Sequence, residues 1–247
     1  MLSLIDPVPL LLASLIIFTG ALTQSLIGFG LAVVATPLLY IVDPELVPAP
    51  VIAMGFSIAL LTLVRERGHL EFNGLQYALL GRLPGGLIGA TLLLLAPQPI
   101  LGLTIALIVA VAVFLSLRKY SIKINRLSLF IAGIFSGIFG TVAAIGGPPM
   151  ALLLAGKDAS QFRAALSAFF IFSSLIALII LGCFGLLTLR HLWLSLLLLP
   201  SVFLGFLVAG RLVGRVDKEK TRVLTLALCA LSALLLTIKS SLALING

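Results

Sequence analysis

Charged residues are scarce in this chain of 247 residues. It contains 16 Lys and Arg and 8 Asp and Glu, so that 10% of its positions are charged, against about 25% in an ordinary soluble domain. Hydrophobic residues make up 61% of the chain, and the mean hydropathy is +1.30. These values exclude a soluble globular fold and predict the lipid bilayer as the surroundings of the chain.

Residues that hold metals or form disulfides are also few. The chain has 2 Cys and 2 His. Cys183 and Cys229 both lie in apolar stretches, with no C-x-x-C motif and no nearby His. Both are therefore expected to be small core residues rather than metal, redox or disulfide cysteines. The sequence predicts neither a metal site nor a cofactor.

Signatures of catalysis and of primary pumping are missing as well. The chain has no Walker A motif and no hydrophilic domain that could hydrolyse ATP, so a primary pump is excluded. The apolar runs contain no paired carboxylates, no His-rich cluster and no Asp or Glu, which argues against an enzyme and predicts that no carboxylate is buried. The net charge of +8 comes from basic residues at the ends of apolar runs, where loops and lipid headgroups account for it, so no nucleic-acid partner is expected.

Eight apolar runs divide the chain, and Arg82 is the one charged residue inside any of them. A helix needs about 20 apolar residues to cross a hydrocarbon core of about 30 Å, and each run is near or above that length. The sequence therefore predicts an all-α polytopic membrane protein. The runs are 8–41, 47–64, 72–95, 99–117, 127–156, 164–189, 192–210 and 223–238.

Two of these runs are too long for one crossing. At 1.5 Å per residue, residues 8–41 would form a helix of about 51 Å and residues 127–156 one of about 45 Å. The first contains Gly-Phe-Gly and then a proline at 28–37, and the second contains Gly140 and then Gly-Gly-Pro-Pro at 146–149. Since Gly destabilises a helix interior and Pro removes a backbone donor, each run is predicted to be two shorter helices joined near mid-membrane depth.

The broken segments are part of an internal repeat. A Gly-to-Pro interval at 28–37 returns at 140–149, and a Pro-to-Gly interval at 84–89 returns at 200–205. Such pairs predict two homologous halves, each with one broken segment and three further spans. The halves are residues 1–120 and 121–247.

Sidedness follows from Lys and Arg, which favour cytoplasmic loops. If every run crossed once, the Lys and Arg residues outside the runs would divide almost evenly, with 8 on the inner side of the membrane and 7 on the outer side. If each broken run is a re-entrant hairpin, with tips near 28–30 and 145–148, all of them except Arg190 and Lys239 become cytoplasmic. The cytoplasmic set is then Arg65, Arg67, Arg118, Lys119, Lys123, Arg126, Lys157, Arg163, Arg211, Arg215, Lys218, Lys220 and Arg222.

The hairpin arrangement makes the two halves inverted repeats. Each half has three net crossings, an odd number, so that the second half runs in the opposite sense to the first. Both termini are predicted to lie outside. Inverted repeats with discontinuous helices are typical of secondary transporters, whose site lies near the midplane where the broken helices meet.

These segments also resemble a known family. The sequences GFGLAVVATPLL and GIFGTVAAIGGPPMALLL, the RAALSAF stretch and the two P-x4-G helices are similar to the sulfite exporter TauE/SafE family, also called DUF81. The resemblance covers nearly the whole chain. It implies a bacterial inner-membrane carrier of seven or eight helices that exports small sulfur oxoanions or organosulfonates.

The residues point independently to a small anionic solute as the partner. Helices that restart after Gly30 and Gly147 would aim unpaired N–H groups and positive dipole ends at one point, which suits an anion. The alternative is that the glycines and small polar residues only allow close helix packing. The candidate substrate-binding residues are Gln24, Ser25, Gly28, Gly30, Thr36, Pro37, Arg82, Thr141, Gly146, Gly147 and Pro148.

Arg82 is the strongest single candidate. It stands ten residues past Phe72, about 15 Å into its span, which is too deep for easy snorkelling. An ionised group at that depth costs at least about 2.5 kcal/mol and therefore needs a partner. A substrate anion is the leading hypothesis, and capping of carbonyls freed by the helix breaks is the structural alternative.

Two other functions stay open from the sequence. An anion channel would show single-channel currents in place of saturable flux, and a membrane assembly factor would show no solute flux. The sequence does not determine which anion is bound, whether transport is uniport, symport or exchange, or the oligomeric state.

Overall fold

A computed structural model describes residues 7–70, 74–117, 124–212 and 218–246 of the chain. Within these residues it contains α-helices, two short 3₁₀ turns and no strand, so the predicted all-α class is confirmed. The helices are α1 (Pro7–Ile27), α2 (Leu31–Val42), α3 (Ala49–Glu66), α4 (Leu75–Leu95), α5 (Gln98–Leu117), α6 (Arg126–Ala143), α7 (Gly147–Leu154), α8 (Ala159–Cys183), α9 (Leu189–Leu212) and α10 (Lys218–Asn246).

Eight helical segments in the described part of the chain are long and apolar enough to cross a membrane. They correspond to the predicted runs, with α2 and α7 as the shorter second parts of the two broken ones. The ends differ by several residues: α8 starts at Ala159 and α10 ends at Asn246. Hydropathy marks where a helix meets lipid, whereas its backbone hydrogen bonds continue into polar surroundings. Helix ends are therefore less predictable than the spans.

The first predicted break is confirmed at residues 28–30. Gly28 and Gly30 have φ angles of 105° and 131°, a backbone conformation that residues with a Cβ rarely adopt. The start of α2 packs closely on α1, since a Cβ on Gly20 of α1 would lie 3.0 Å from the carbonyl oxygen of Leu31 in α2. Pro37 does not break the chain and lies inside α2.

The second break is confirmed at residues 144–146, after Gly140 and at the start of the Gly-Gly-Pro-Pro stretch. Helix α6 continues through Gly140 to Ala143, and the turn follows at Ala144, whose φ is 59°. The residues of this break also contact α6, since the Ser136 hydroxyl donates to the Gly146 carbonyl at 2.7 Å. Both broken runs thus consist of a long arm and a short arm joined by three residues.

Helices from the two halves of the sequence pack against each other in pairs. Helix α4 packs on α6, α1 on α9, α3 on α8 and α5 on α10. In the closest pair, α4 and α6, the Cα of Gly85 would lie 2.7 Å from a Cβ on Gly137, so that only glycine fits. The bundle encloses small buried side chains and leaves many large apolar ones exposed around its outside, as in a protein surrounded by lipid.

The predicted boundary between the halves, at residues 120–121, lies outside the described residues, as do Arg118, Lys119, Lys123 and Arg215.

Candidate functional site

The two helix breaks meet at a cavity of about 40 Å³. About 10–15 Å³ of such volume holds one water molecule, so the space suits a few waters or one small ion. It is lined by both breaks, by the start of α3 and by the middle parts of α4 and α8. The lining residues are Gln24, Phe29, Gly30, Ala32, Val33, Val51, Ile52, Gly55, Arg82, Gly140, Ala144, Ile145, Gly146, Gly147, Phe170, Ser173 and Ser174.

Arg82 of α4 supplies the charge of this cavity. Its side chain is almost fully buried, at 2% exposure. Its Nε donates to the Ser173 carbonyl at 3.3 Å, and its Nη1 donates to the Ser136 carbonyl. Within the described ranges it forms no ion pair with a carboxylate, and its Nη2 has no hydrogen-bond acceptor. One positive charge and one free donor nitrogen therefore face the cavity.

Gly140 makes room for this guanidinium. A Cβ at Gly140 would lie 2.6 Å from Nη2 and 2.8 Å from Cζ of Arg82, closer than any two such atoms can approach. The partner of Nη1, Ser136, also holds the second break through its bond to Gly146. Helix α6 continues unbroken through Gly140, and the missing side chain leaves the space that the guanidinium occupies.

Helix α2 adds backbone donors to the cavity wall. Its first N–H, of Leu31, donates to Gln24 Oε1 at 3.2 Å, and the ladder resumes with Val34 donating to the Gly30 carbonyl at 3.0 Å. No acceptor among the described residues takes the N–H groups of Ala32 and Val33. The start of α2 therefore offers two free donors and the positive end of its dipole.

Helix α7 contributes less than the sequence predicts. Pro148 and Pro149 follow Gly147 at its start, and proline has no N–H. Only the Gly147 N–H is available among the first three residues of α7. The two breaks are therefore chemically unequal, with α2 as the stronger anion-facing end.

A hydrogen bond joins the two breaks directly. The Thr36 hydroxyl of α2 donates to the Ala143 carbonyl, the last residue of α6, at 2.7 Å. Both groups are buried. This bond satisfies a carbonyl that the end of α6 leaves free.

The candidate residues from the sequence fall into two groups. Gln24, Gly30, Arg82, Gly146 and Gly147 line the cavity. The others are buried but do not line it: Ser25, Gly28, Thr36, Pro37, Thr141 and Pro148.

Thr141 is placed away from the cavity. It is fully buried, and its Oγ1 has no partner in the described residues. It packs on α4, where a Cβ at Gly89 would lie 2.9 Å from the Thr141 Cβ. This contact fits the alternative hypothesis for such a residue, namely that a small polar side chain allows close helix packing.

Four polar or aromatic residues of the cavity wall were not predicted. Phe29 lies within the first break, and Phe170, Ser173 and Ser174 lie in the middle of α8. The Ser-Ser pair inside an apolar run is a weak sequence signal. Phenylalanine among many apolar residues gives none.

The prediction that no carboxylate is buried is wrong. Glu66, at the end of α3, is 7% exposed. Its Oε1 accepts from Arg163 Nε at 2.8 Å and from Arg65 Nε at 3.3 Å. The residue lies outside the apolar runs in sequence, and arginines from two helices cover it only in the folded chain.

Comparison with known proteins gives one match. Neither a curated protein nor a solved structure matches the chain significantly. The family model described as sulfite exporter TauE/SafE matches residues 12–236. That family is one of membrane transporters and not of enzymes. With nearly its whole length matched, the chain belongs to the sulfite exporter TauE/SafE family.

Proposed function

We propose that the protein is a secondary transporter that exports a small anion, such as sulfite, another sulfur oxoanion or an organosulfonate, through the cavity at Arg82. The observation that carries this proposal is the buried guanidinium without a carboxylate partner, which keeps Nη2 free at the cavity. A buried charge is costly unless it is paired. A bound anion supplies the missing charge and acceptor.

The other donors at the cavity fit an oxoanion. The free N–H groups of Ala32 and Val33 face the same space as Arg82, and so does Gln24, whose side-chain oxygen already accepts from Leu31. A tetrahedral or pyramidal oxoanion presents several oxygens at once. It can therefore accept from a guanidinium and from a helix start together.

Contacts between chain segments support the re-entrant hairpins. Arg163 contacts Glu66, Arg190 contacts Glu45 at 2.6 Å, and Lys239 donates to the Ile41 carbonyl at 2.8 Å. If all eight runs crossed once, each of these pairs would have its members on opposite faces. With two hairpins, the first pair lies at the cytoplasmic face and the other two lie outside.

The packing pattern supports the inverted repeat. Helices α1 to α5 of the first half correspond in order to α6 to α10 of the second. If each helix is replaced by its counterpart, the α4–α6 pair becomes the α9–α1 pair, and the α3–α8 and α5–α10 pairs stay unchanged. The glycine of each P-x4-G segment packs on the long arm of the other half: Gly89 on Ile138 and Thr141 of α6, and Gly205 on Phe18 and Ala21 of α1. Such exchange is expected of two halves related by a pseudo-twofold axis.

Export needs no coupling ion in this scheme. An anion that leaves a cell with an inside-negative potential gains about 2.3 kcal/mol per charge per 100 mV. From the family, we place the protein in a bacterial inner membrane. From the count of loop charges, we place both termini outside and the Glu66 end of α3 in the cytoplasm.

Counterflow in proteoliposomes tests the function. Vesicles loaded with unlabelled sulfite should accumulate labelled sulfite, with saturation. Sulfate, thiosulfate, sulfoacetate and carboxylates, added as competitors, give the substrate range. Arg82→Gln and protein-free vesicles are the controls. Single-channel currents would indicate a channel, and no flux of any anion would leave the assembly-factor hypothesis and contradict the proposal.

A further inference from the structure

The cluster of Arg65, Glu66 and Arg163 lies beside the cavity and has no role in the site described above. We propose that it is a gate between the cavity and the face where α3 ends and α8 begins, and that an entering anion opens it by replacing Glu66 on Arg163. The proposal rests on the anion-transport function and adds a second anion site to it.

The cluster is connected to the cavity wall through sequence neighbours at two points. Arg65 donates to the Ser25 hydroxyl at 2.9 Å and to the Ser25 carbonyl at 2.7 Å, and Ser25 directly follows the cavity residue Gln24. The ring of the cavity residue Phe29 contacts the Phe162 ring edge-on at 6.4 Å, and Phe162 precedes Arg163. The cluster is therefore about one layer of side chains away from the cavity.

The charges of the cluster do not cancel. Two guanidinium groups share one carboxylate, and both donate to the same oxygen, Glu66 Oε1. This leaves one excess positive charge. The side chains of Arg163 and Glu66 are only 8% and 9% exposed, so water screens this charge poorly. An anion that approaches from this face is attracted to it.

An oxoanion can take the place of the carboxylate. Both present paired oxygens to which a guanidinium donates in the same planar geometry. The exchange leaves Arg163 paired and frees Glu66. The guanidinium is therefore never left buried without a partner, which is the costly state of such a pair.

Losing the Glu66 bond loosens the wall of the cavity. With Glu66 in place, α3 is tied to α8 through Arg163 and to the end of α1 through Arg65. When an anion binds Arg163, the tie between α3 and α8 is broken. The anion binds this site only when Glu66 has left it, so its binding energy favours the open state.

Thiol labelling inside the cavity tests the gate. Ser174→Cys, in a chain with Cys183→Ser and Cys229→Ala, puts a thiol on the cavity wall by one atom exchange. The reagent is a membrane-impermeant methanethiosulfonate that carries a sulfonate group, added to sealed vesicles at the Glu66 face. It should label the thiol at position 174 at least tenfold faster when Glu66→Gln is also present than in the parent. Glu45→Gln, which breaks the exposed pair with Arg190, is the matched control and should not change the rate.

A second variant covers failure of the first to fold. Arg163→Gln breaks the same tie between α3 and α8 from the α8 side and leaves Glu66 paired with Arg65. It should raise the labelling rate at least threefold. Unchanged rates in the folded variants, or an equal rise in Glu45→Gln, would overturn the gate.

The charge of the reagent tests the anion site. Relative to their rates with a free thiol, the sulfonate reagent should label Glu66→Gln several-fold faster than a trimethylammonium reagent of similar size. Adding Arg163→Gln lowers the cluster's charge by one and should reduce this preference. An unchanged preference would refute the anion site.

Protection by sulfite separates this proposal from the transport function. Sulfite should slow labelling of Ser174→Cys in a manner that depends on Arg82. If sulfite protects but Glu66→Gln labels at the parent rate, the gate is wrong and the carrier site stands. If Glu66→Gln speeds labelling of the thiol at position 174 but no anion slows it, the cluster does close the cavity and the anion-transport function is wrong.

Discussion

Replacing Arg82 tests whether its guanidinium binds substrate or only holds carbonyls. Arg82→Gln removes the charge and the free Nη2 donor that faces the cavity. A hydrogen bond to a charged group contributes about 1.5–3 kcal/mol. Since 1.4 kcal/mol corresponds to tenfold in binding, the sulfite Kd should rise by about 10-fold to 150-fold. Arg82→Lys keeps the charge without the planar fork, and its Kd should rise by about tenfold.

The assay combines calorimetric titration of sulfite with thermal unfolding on the same detergent preparations. At a sulfite concentration of about 100 Kd, binding stabilises the folded protein by about 2.7 kcal/mol. For a chain of this size that raises the Tm by roughly 5–10 °C. The parent should show the full rise, whereas Arg82→Gln, with a Kd higher by about 10-fold to 150-fold, should be stabilised by only about 0.3–1.4 kcal/mol at the same concentration. Arg211→Gln, which removes an exposed charge at the end of α9, is the control and should keep the full rise.

The capping hypothesis gives the opposite pattern. If Arg82 only satisfies the Ser136 and Ser173 carbonyls, both variants should melt at lower temperature without sulfite and bind it with the parent Kd. Arg82→Gln protein that binds sulfite as tightly as the parent would refute the binding role.

Three further predictions concern the breaks and the topology. Gly140→Ala should displace the Arg82 guanidinium and weaken sulfite binding at least tenfold by calorimetry, whereas Gly156→Ala, whose Cβ meets nothing within 4 Å, should bind normally; equal Kd values would contradict the seating role. Gly30→Val and Gly147→Val should abolish counterflow in folded protein, because φ is 131° at the first and a Cβ at the second would lie 3.1 Å from Phe170; normal flux in both would reduce the breaks to packing devices. Cysteines in the loops after α3 and α7 should label from the cytoplasm and those after α2 and α8 from outside, and a cytoplasmic N-terminus would rule out the hairpins.

The helices and their breaks were predictable because their causes are local. Apolar length predicts a span, and glycines at 28 and 30 next to a long run predict a turn, since a positive φ needs no distant partner. The second break was harder to place. Gly140 looks like a helix breaker in sequence, yet α6 continues through it, and its missing side chain leaves space for Arg82 of α4.

The site was only partly predictable because its remaining parts depend on tertiary contacts. Arg82 stood out as a charge in an apolar run, but nothing local indicates that its partners are the carbonyls of Ser136 and Ser173. Burial of Glu66 likewise depends on Arg163, 97 residues away in sequence. Charged residues in loops indicate which side of the membrane each loop is on. They do not indicate which of these residues are buried by other helices.

Arg82 has no arginine counterpart in the second half of the chain, although the helices of the two halves pack in corresponding pairs. By the P-x4-G repeat, the counterpart of Arg82 is Leu198, a buried residue of α9. In the proposed inverted carrier, rotation about the pseudo-twofold axis exchanges the inward-open and outward-open forms and carries Arg82 onto the position of Leu198. The buried charge therefore adds to the free-energy difference between the two forms. We expect the empty carrier to have a preferred resting orientation, with rates of reorientation that differ in the two directions even when the anion concentrations on both sides are the same.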